Sequence, residues 1–107
     1  MAKKVIITKR FRRNVKSVYD YISLKFSART AAVFLDKIET QVELISLNPE
    51  IGRPSQKRNG VRCMHLTPHN LIYYRVKENV VEILCLFDVR RSPDKRPYWK
   101  NKAKLLQ

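Results

Sequence analysis

Glycine is nearly missing from this chain: its 107 residues hold two, Gly52 and Gly60. That scarcity excludes the glycine-rich loop that cradles phosphates and the Gly-x-Ser-x-Gly elbow of a serine hydrolase. Cysteine is as rare, with Cys63 and Cys85 alone. Both fall inside strand-like runs, where a thiol serves as a small buried hydrophobe, and no disulfide is expected. With 44% hydrophobic residues, one domain of this length should fold without metal or disulfide staples. No apolar run approaches the roughly 20 residues of a membrane span, and no apolar signal core follows Lys3 and Lys4. A cytosolic protein without membrane contact is expected.

Acid is the last shortage. Nine acidic residues face 23 basic ones, for a net charge of +14. A field of that size draws polyanions, whether nucleic acid or an acidic protein. The bases cluster in three runs, from Lys3 to Arg13, from Arg53 to Arg62 and from Arg90 to Lys104, whereas Asp20, Asp36, Glu39 and Glu43 concentrate in the middle of the first half.

What the chain does have is patterning. Val5-Ile6-Ile7-Thr8 reads as a strand. From about Phe11, the residues Phe11, Val15, Val18, Tyr19, Ile22 and Phe26 recur at helical spacing, with Arg12, Arg13 and Lys16 largely on the other face. Ser27 is a good N-cap for a second helix. Its inward stripe is Ala31, Leu35, Ile38, Val42 and Ile45, widened by Phe34, Leu44 and Leu47, and Asn48-Pro49 ends it. The segment from Glu50 to Lys57 reads as an ordered loop. Between Asn59 and Pro93 lie three short runs rich in β-branched and aromatic residues, joined by tight turns, which predicts an antiparallel meander. VVEILCLF, apolar at nearly every position, is expected as its central strand, buried on both faces. The predicted fold is α+β, β-α-α-β-β-β, a helix hairpin packed on an antiparallel sheet. One domain should span residues 1–107, with a core from about 4 to 98 and a basic tail over 99–107.

Candidate chemistry is sparse. Cys63, His65 and His69 lack a fourth ligand and the second pair that a zinc site needs, so no metal or other cofactor is expected. A metal-free ribonuclease needs a base for the 2′-hydroxyl, cations for the phosphorane charge and an acid for the leaving oxygen. Here His65 is the candidate base or acid, Arg62 and Arg90 the candidate charge stabilisers, and Tyr98 the stacking or proton-relay residue. Against that stand ordinary structural roles: Arg75 pointing to solvent or pairing with Glu82 across the hairpin, or one of Arg90 and Arg91 capping a strand end. Lys57, Arg58, Arg91, Lys95 and Arg96 are candidates for contact with nucleic acid or a target. Phe11, Val15, Tyr19 and Trp99 are candidates for docking a partner protein.

Asn48-Pro49-x-x-Gly52-Arg53-Pro54, Gly60-Val61-Arg62, Ile72-Tyr73-Tyr74-Arg75-Val76 and Phe87-Asp88-x-Arg90-x-x-Pro93, in that order, resemble the RelE/ParE toxin superfamily. The resemblance runs from the first strand to about Tyr98. It implies the toxin of a type II toxin–antitoxin pair, neutralised by an acidic, partly disordered antitoxin. Two activities occur in the superfamily. RelE-type members cut mRNA on the ribosome with strand lysines, two arginines and a tyrosine. This chain matches at Arg90 and near Tyr98, but has Cys63 and His65 where the lysines are expected and Asn70-Leu71 where one arginine is expected. ParE-type members poison DNA gyrase without a nuclease constellation, and the helix-ending motif, Arg62 and the Tyr-Arg-Val strand look closer to that branch. The resemblance therefore implies gyrase poisoning first and ribosome-dependent mRNA cleavage second. A basic nucleic-acid-binding module, or an inactive relative that only represses an operon, is the third reading.

Overall fold

The computed structural model describes residues 2–90. Strand β1 covers Lys4–Ile7, helix α1 Lys9–Lys25, helix α2 Ala28–Leu47, and strands β2 to β5 cover Arg53–Pro54, Val61–Thr67, Asn70–Val76 and Val80–Asp88. Each helix starts on a hydroxyl. Thr8 accepts from the Phe11 amide at 3.1 Å, and Ser27 accepts from the Thr30 amide at 3.0 Å. Helix α2 stops at Asn48, whose amide donates to Leu44 O at 2.8 Å before Pro49 ends the ladder.

The described strands form one sheet in the order β1-β5-β4-β3-β2. The meander β3-β4-β5 is antiparallel as expected, and Arg75 stands opposite Glu82 with an N–O separation of 3.7 Å. Three points depart from the sequence reading. β1 joins parallel to β5, so the sheet is mixed rather than antiparallel. The meander leaves the outer edge of β5 open, and Lys4–Ile7 closes its first half opposite Val80–Ile83. The segment expected as loop contributes β2, where Arg53 and Pro54 pair with Cys63 and Arg62. VVEILCLF is interior, but β4 is the middle strand, because β1 adds only one strand beyond β5 while β3 and β2 lie beyond β4.

Both faces of the sheet are apolar. On the helix side, Phe11, Phe34, Ile38 and Ile45 pack with Ile72, Tyr74, Val81, Ile83 and Leu86. On the other side, Val61, Cys63, Leu71, Tyr73, Leu84, Cys85 and Phe87 form a second buried cluster. VVEILCLF is therefore buried on both faces, as its composition predicts. The helical stripes are narrower than expected. Leu35, Leu44 and Leu47 are exposed and Phe34 is buried, because the buried line on α2 steps through Ala31, Phe34, Ile38 and Ile45. Phe26 is 70% exposed. As the C-cap of α1, with ψ −81°, it has left the helical stripe.

Past Ile83 no described strand lies beside the outer edge of β5, and side chains of the α1 segment reach it there. The Thr8 hydroxyl donates to Ile83 O and Leu84 O at 2.8 and 2.9 Å, and Asn14 Oδ1 accepts from the Leu86 amide at 3.1 Å. These bonds satisfy backbone groups that an open edge would leave unpaired. They also fix where α1 crosses the sheet, and that crossing opens a groove.

Candidate functional site: a groove between the helices

The groove is about 650 Å³ in volume. Val5 and Ile7 of β1, Phe11 and Val15 of α1, and Ile38 and Val42 of α2 contribute its apolar lining. Tyr19 and Leu35 stand toward the helix-hairpin end. Charge lines the two helical walls unequally: Arg12 and Lys16 belong to α1, Glu39 and Glu43 to α2. Of the docking candidates Phe11, Val15, Tyr19 and Trp99, the first three line this groove, with Phe11 its nearly buried floor at 2% exposure. The sequence reading missed the charged rim. Arg12 and Lys16 were expected to face away from the helix's apolar side, yet the 12,16 and 39,43 spacings are legible one-turn repeats.

The residues considered for catalysis are spread out. Arg62 faces the helix side of β3 and donates through Nη1 to Glu50 O at 3.2 Å and Gly52 O at 2.7 Å. Its charge thus sits on carbonyls just beyond the C-terminus of α2, where the helix dipole favours a cation. Alternation along β3 sends His65 to the opposite face. There it is exposed, opposite Leu71, with Nδ1 3.2 Å from Thr67 O. Arg90 follows the end of β5 and grips Asp88, with Nε 3.0 Å from Oδ1 and Nη2 2.7 Å from Oδ2. The hydrogen bond from Arg90 lowers the Asp88 pKa and raises that of Arg90 itself. His65 and Arg90 share the end of the sheet near the β3–β4 turn, and Arg62 joins neither.

Lys57 and Arg58 are exposed in the loop before β3, their amides donating to Ser55 Oγ at 3.1 and 3.4 Å. Arg91, Lys95, Arg96, Tyr98 and Trp99 lie outside the described residues. Among the described residues no group of three His, Cys, Asp or Glu is placed to hold a metal ion, and no helix is long and apolar enough to cross a membrane.

The sequence motifs of the chain turn out to build a latch. The Tyr74 hydroxyl donates to Pro49 O and accepts from the Gly52 amide, both at 2.8 Å. A Cβ on Gly52 would stand 2.6 Å from that hydroxyl and 2.8 Å from Cys63 O, so only glycine fits. Together with Arg62, these contacts bind Asn48-Pro49-x-x-Gly52, Gly60-Val61-Arg62 and Tyr74-Arg75 into one knot at the end of α2. The knot holds α2, one wall of the groove, against the sheet.

Solved structures share this architecture. The toxin-fold chain of the chromosomal ParDE system from P. aeruginosa superposes with a TM-score of 0.71 at 24% identity, covering 82% of this chain and 97% of that one. A chain of the E. coli DinJ–YafQ toxin–antitoxin complex gives 0.60 at 13% identity, covering 82% and 93%. A chain of the RelBE2 toxin–antitoxin complex from Mycobacterium tuberculosis gives 0.56 at 20% identity, covering 82% and 99%. No curated protein matches the chain significantly in sequence. The family described as the ParE toxin of the type II toxin–antitoxin system parDE matches residues 5–93, a span from β1 through β5 and just beyond. The chain is a member of the ParE toxin family of type II toxin–antitoxin systems.

Proposed function

We propose that this protein is a cytoplasmic toxin that arrests growth by poisoning DNA gyrase and is held inactive by a cognate antitoxin seated in the α1–α2 groove. Family membership supports the toxin reading, and solved relatives include toxin–antitoxin complexes. The observation that carries gyrase over RNA cleavage is the dispersal of the cationic groups. Arg62 is spent on the carbonyls of Glu50 and Gly52, and the Arg90 guanidinium is already bidentate on Asp88. That carboxylate already neutralises the Arg90 charge and weakens its pull on a phosphate, although the Nη1 donors stay uncommitted among the described residues.

The groove suits an antitoxin segment in its own right. Its apolar lining is open to solvent, and helix-in-groove recognition reads such a surface through anchors one turn apart. A segment that folds on docking would bury it.

The second reading is a ribosome-dependent mRNA endoribonuclease. It is favoured by the nearness of His65 and Arg90 to one end of the sheet, with Tyr98 the candidate third member. Pulse labelling after induced expression separates the two. Early arrest of DNA synthesis, with covalent gyrase–DNA complexes accumulating, is expected. An immediate stop of protein synthesis while DNA synthesis continues would replace gyrase with the ribosome.

A further inference from the structure

The groove carries more information than its apolar floor. Arg12 and Lys16 are one turn apart on α1, and Glu39 and Glu43 are one turn apart on α2. The helices form an antiparallel hairpin, so Arg12 lies on the opposite wall from Glu43, and Lys16 from Glu39. No ion pair crosses between the walls: Lys16 pairs along its own helix with Asp20 at 2.7 Å, and Arg12, Glu39 and Glu43 form no ion pair among the described residues. Val15 and Val42 line the groove between the two pairs. The result is a cationic rim and an anionic rim facing each other over an apolar floor.

We infer that the groove takes a partner helix of bipolar cross-section. Such a helix sets its apolar stripe on Val15 and Val42, runs acidic residues along the flank facing Arg12 and Lys16, and runs basic residues along the flank facing Glu39 and Glu43. This rests on the reading of the groove as the antitoxin seat and names the chemistry of that antitoxin. From Phe11 to Tyr19 the α1 wall rises about 12 Å, so the contact covers roughly two helical turns, enough for two or three apolar anchors at i, i+4 and i+7 spacing.

The net charge of +14 favours any acidic segment at long range. Inside the groove the balance differs. A uniformly acidic helix meets Glu39 and Glu43 at contact distance, where like charges repel and are only partly screened. A bipolar helix is attracted on both flanks. Direction follows too: turning a helix end for end in a groove exchanges its flanks, so one charge pattern fits in one orientation only. The rims then discriminate between antitoxins as flanking charges do in coiled coils.

The test uses the antitoxin encoded beside this chain as the probe and its affinity for purified full-length toxin as the readout, with circular dichroism confirming that each variant is folded. The doubly substituted Glu39→Lys/Glu43→Lys toxin and the singly substituted Arg12→Glu toxin should each bind about tenfold more weakly or worse. Val42→Glu, in the floor, should abolish binding. Tighter binding by Glu39→Lys/Glu43→Lys means a uniformly acidic occupant and overturns the bipolar assignment. Unchanged affinity in both rim variants, with Val42→Glu still defective, overturns the rim code and leaves the seat standing. Unchanged affinity in all three removes the antitoxin from the groove altogether. If the isolated toxin sediments as a dimer that Val42→Glu dissociates, with antitoxin affinity intact, the groove belongs to a second copy of the chain and the inference fails.

Discussion

The phenol of Tyr74 and the backbone of Gly52 are mutually exclusive with a side chain at position 52: the amide–hydroxyl bond is 2.8 Å long and a Cβ would lie 2.6 Å from the same oxygen. The neighbouring contact is Cys63 O at 2.8 Å, which is backbone and cannot swing aside. Gly52→Ala is therefore expected to destabilise the fold by about 1–3 kcal/mol through overpacking. Tyr74→Phe removes the donor to Pro49 O and the acceptor for Gly52 N, and about 1–3 kcal/mol is expected for the buried groups left unpaired. Urea unfolding of both variants measures it. Near-additive losses in the double variant would contradict a shared latch.

Arg62 separates structure from catalysis. If its role is to clamp Glu50 O and Gly52 O, Arg62→Ala should lower the urea midpoint, and toxicity should fall only in step with the folded fraction. A folded, equally stable Arg62→Ala protein that has lost toxicity would return Arg62 to the active site.

Thr8 serves three backbone groups, accepting from Phe11 and donating to Ile83 and Leu84. Thr8→Val keeps shape and branching but loses the cap and the hydroxyl proton shared by Ile83 O and Leu84 O, while the Thr8 amide still donates to Ile83 O at 3.2 Å. A loss of about 1–2 kcal/mol is expected from the cap alone, and amide hydrogen exchange should rise at the start of α1 before it rises in β4.

Asp88 gives the acid limb of the stability profile. Its pKa is lowered in the folded state, chiefly by the Arg90 hydrogen bond. A depressed carboxylate contributes stability above its unfolded pKa and loses it as pH falls through the folded value. Wild type should thus exceed Asp88→Asn in melting temperature near pH 7, and the gap should close below about pH 4, the ordinary range of an aspartate. A gap that persists at low pH would mean that the pair contributes through shape rather than charge.

Burial pushes the Cys85 thiol up to about 11. The folded state therefore holds its proton where the unfolded thiol releases it, and stability should decline as pH rises from about 9 toward that value. At pH 8 the thiol is protonated and enclosed, so iodoacetamide labelling of Cys85 should track global unfolding. Rapid labelling of the native protein would show that the second apolar face opens locally.

How much of this was readable beforehand depends on range. Ser27 as a cap, Asn48-Pro49 as a stop and Arg75 opposite Glu82 are set by neighbours in sequence or by one hairpin register, and each is where the residues imply. Leu35, Leu44 and Leu47 were misplaced because a helix rich in leucine offers two adjacent apolar lines, and only the sheet beneath selects one. The parallel seat of β1 depends on an edge created by β5. The Tyr74–Pro49–Gly52 knot joins motifs that are visible one by one but meet only in three dimensions. The groove's facing rims are equally non-local: each charge pair is a plain one-turn repeat, and their opposition depends on how the two helices lie. Arg62 and His65, plausible together as a list, are divided by the simple alternation of faces along β3, and Arg90 lies beyond the end of β5.

The bond from Thr8 to Ile83 spans a sequence separation of 75 residues, and that distance sets a timetable. During synthesis the first strand and both helices leave the ribosome well before Val80–Asp88 exists, and such long-range pairings are slow to close. Val5 and Ile7, which form one side of the groove, have no sheet to join until β5 has emerged. The groove is thus among the last features of the nascent chain to assemble, so an antitoxin that docks there recognises a finished molecule and not a growing one.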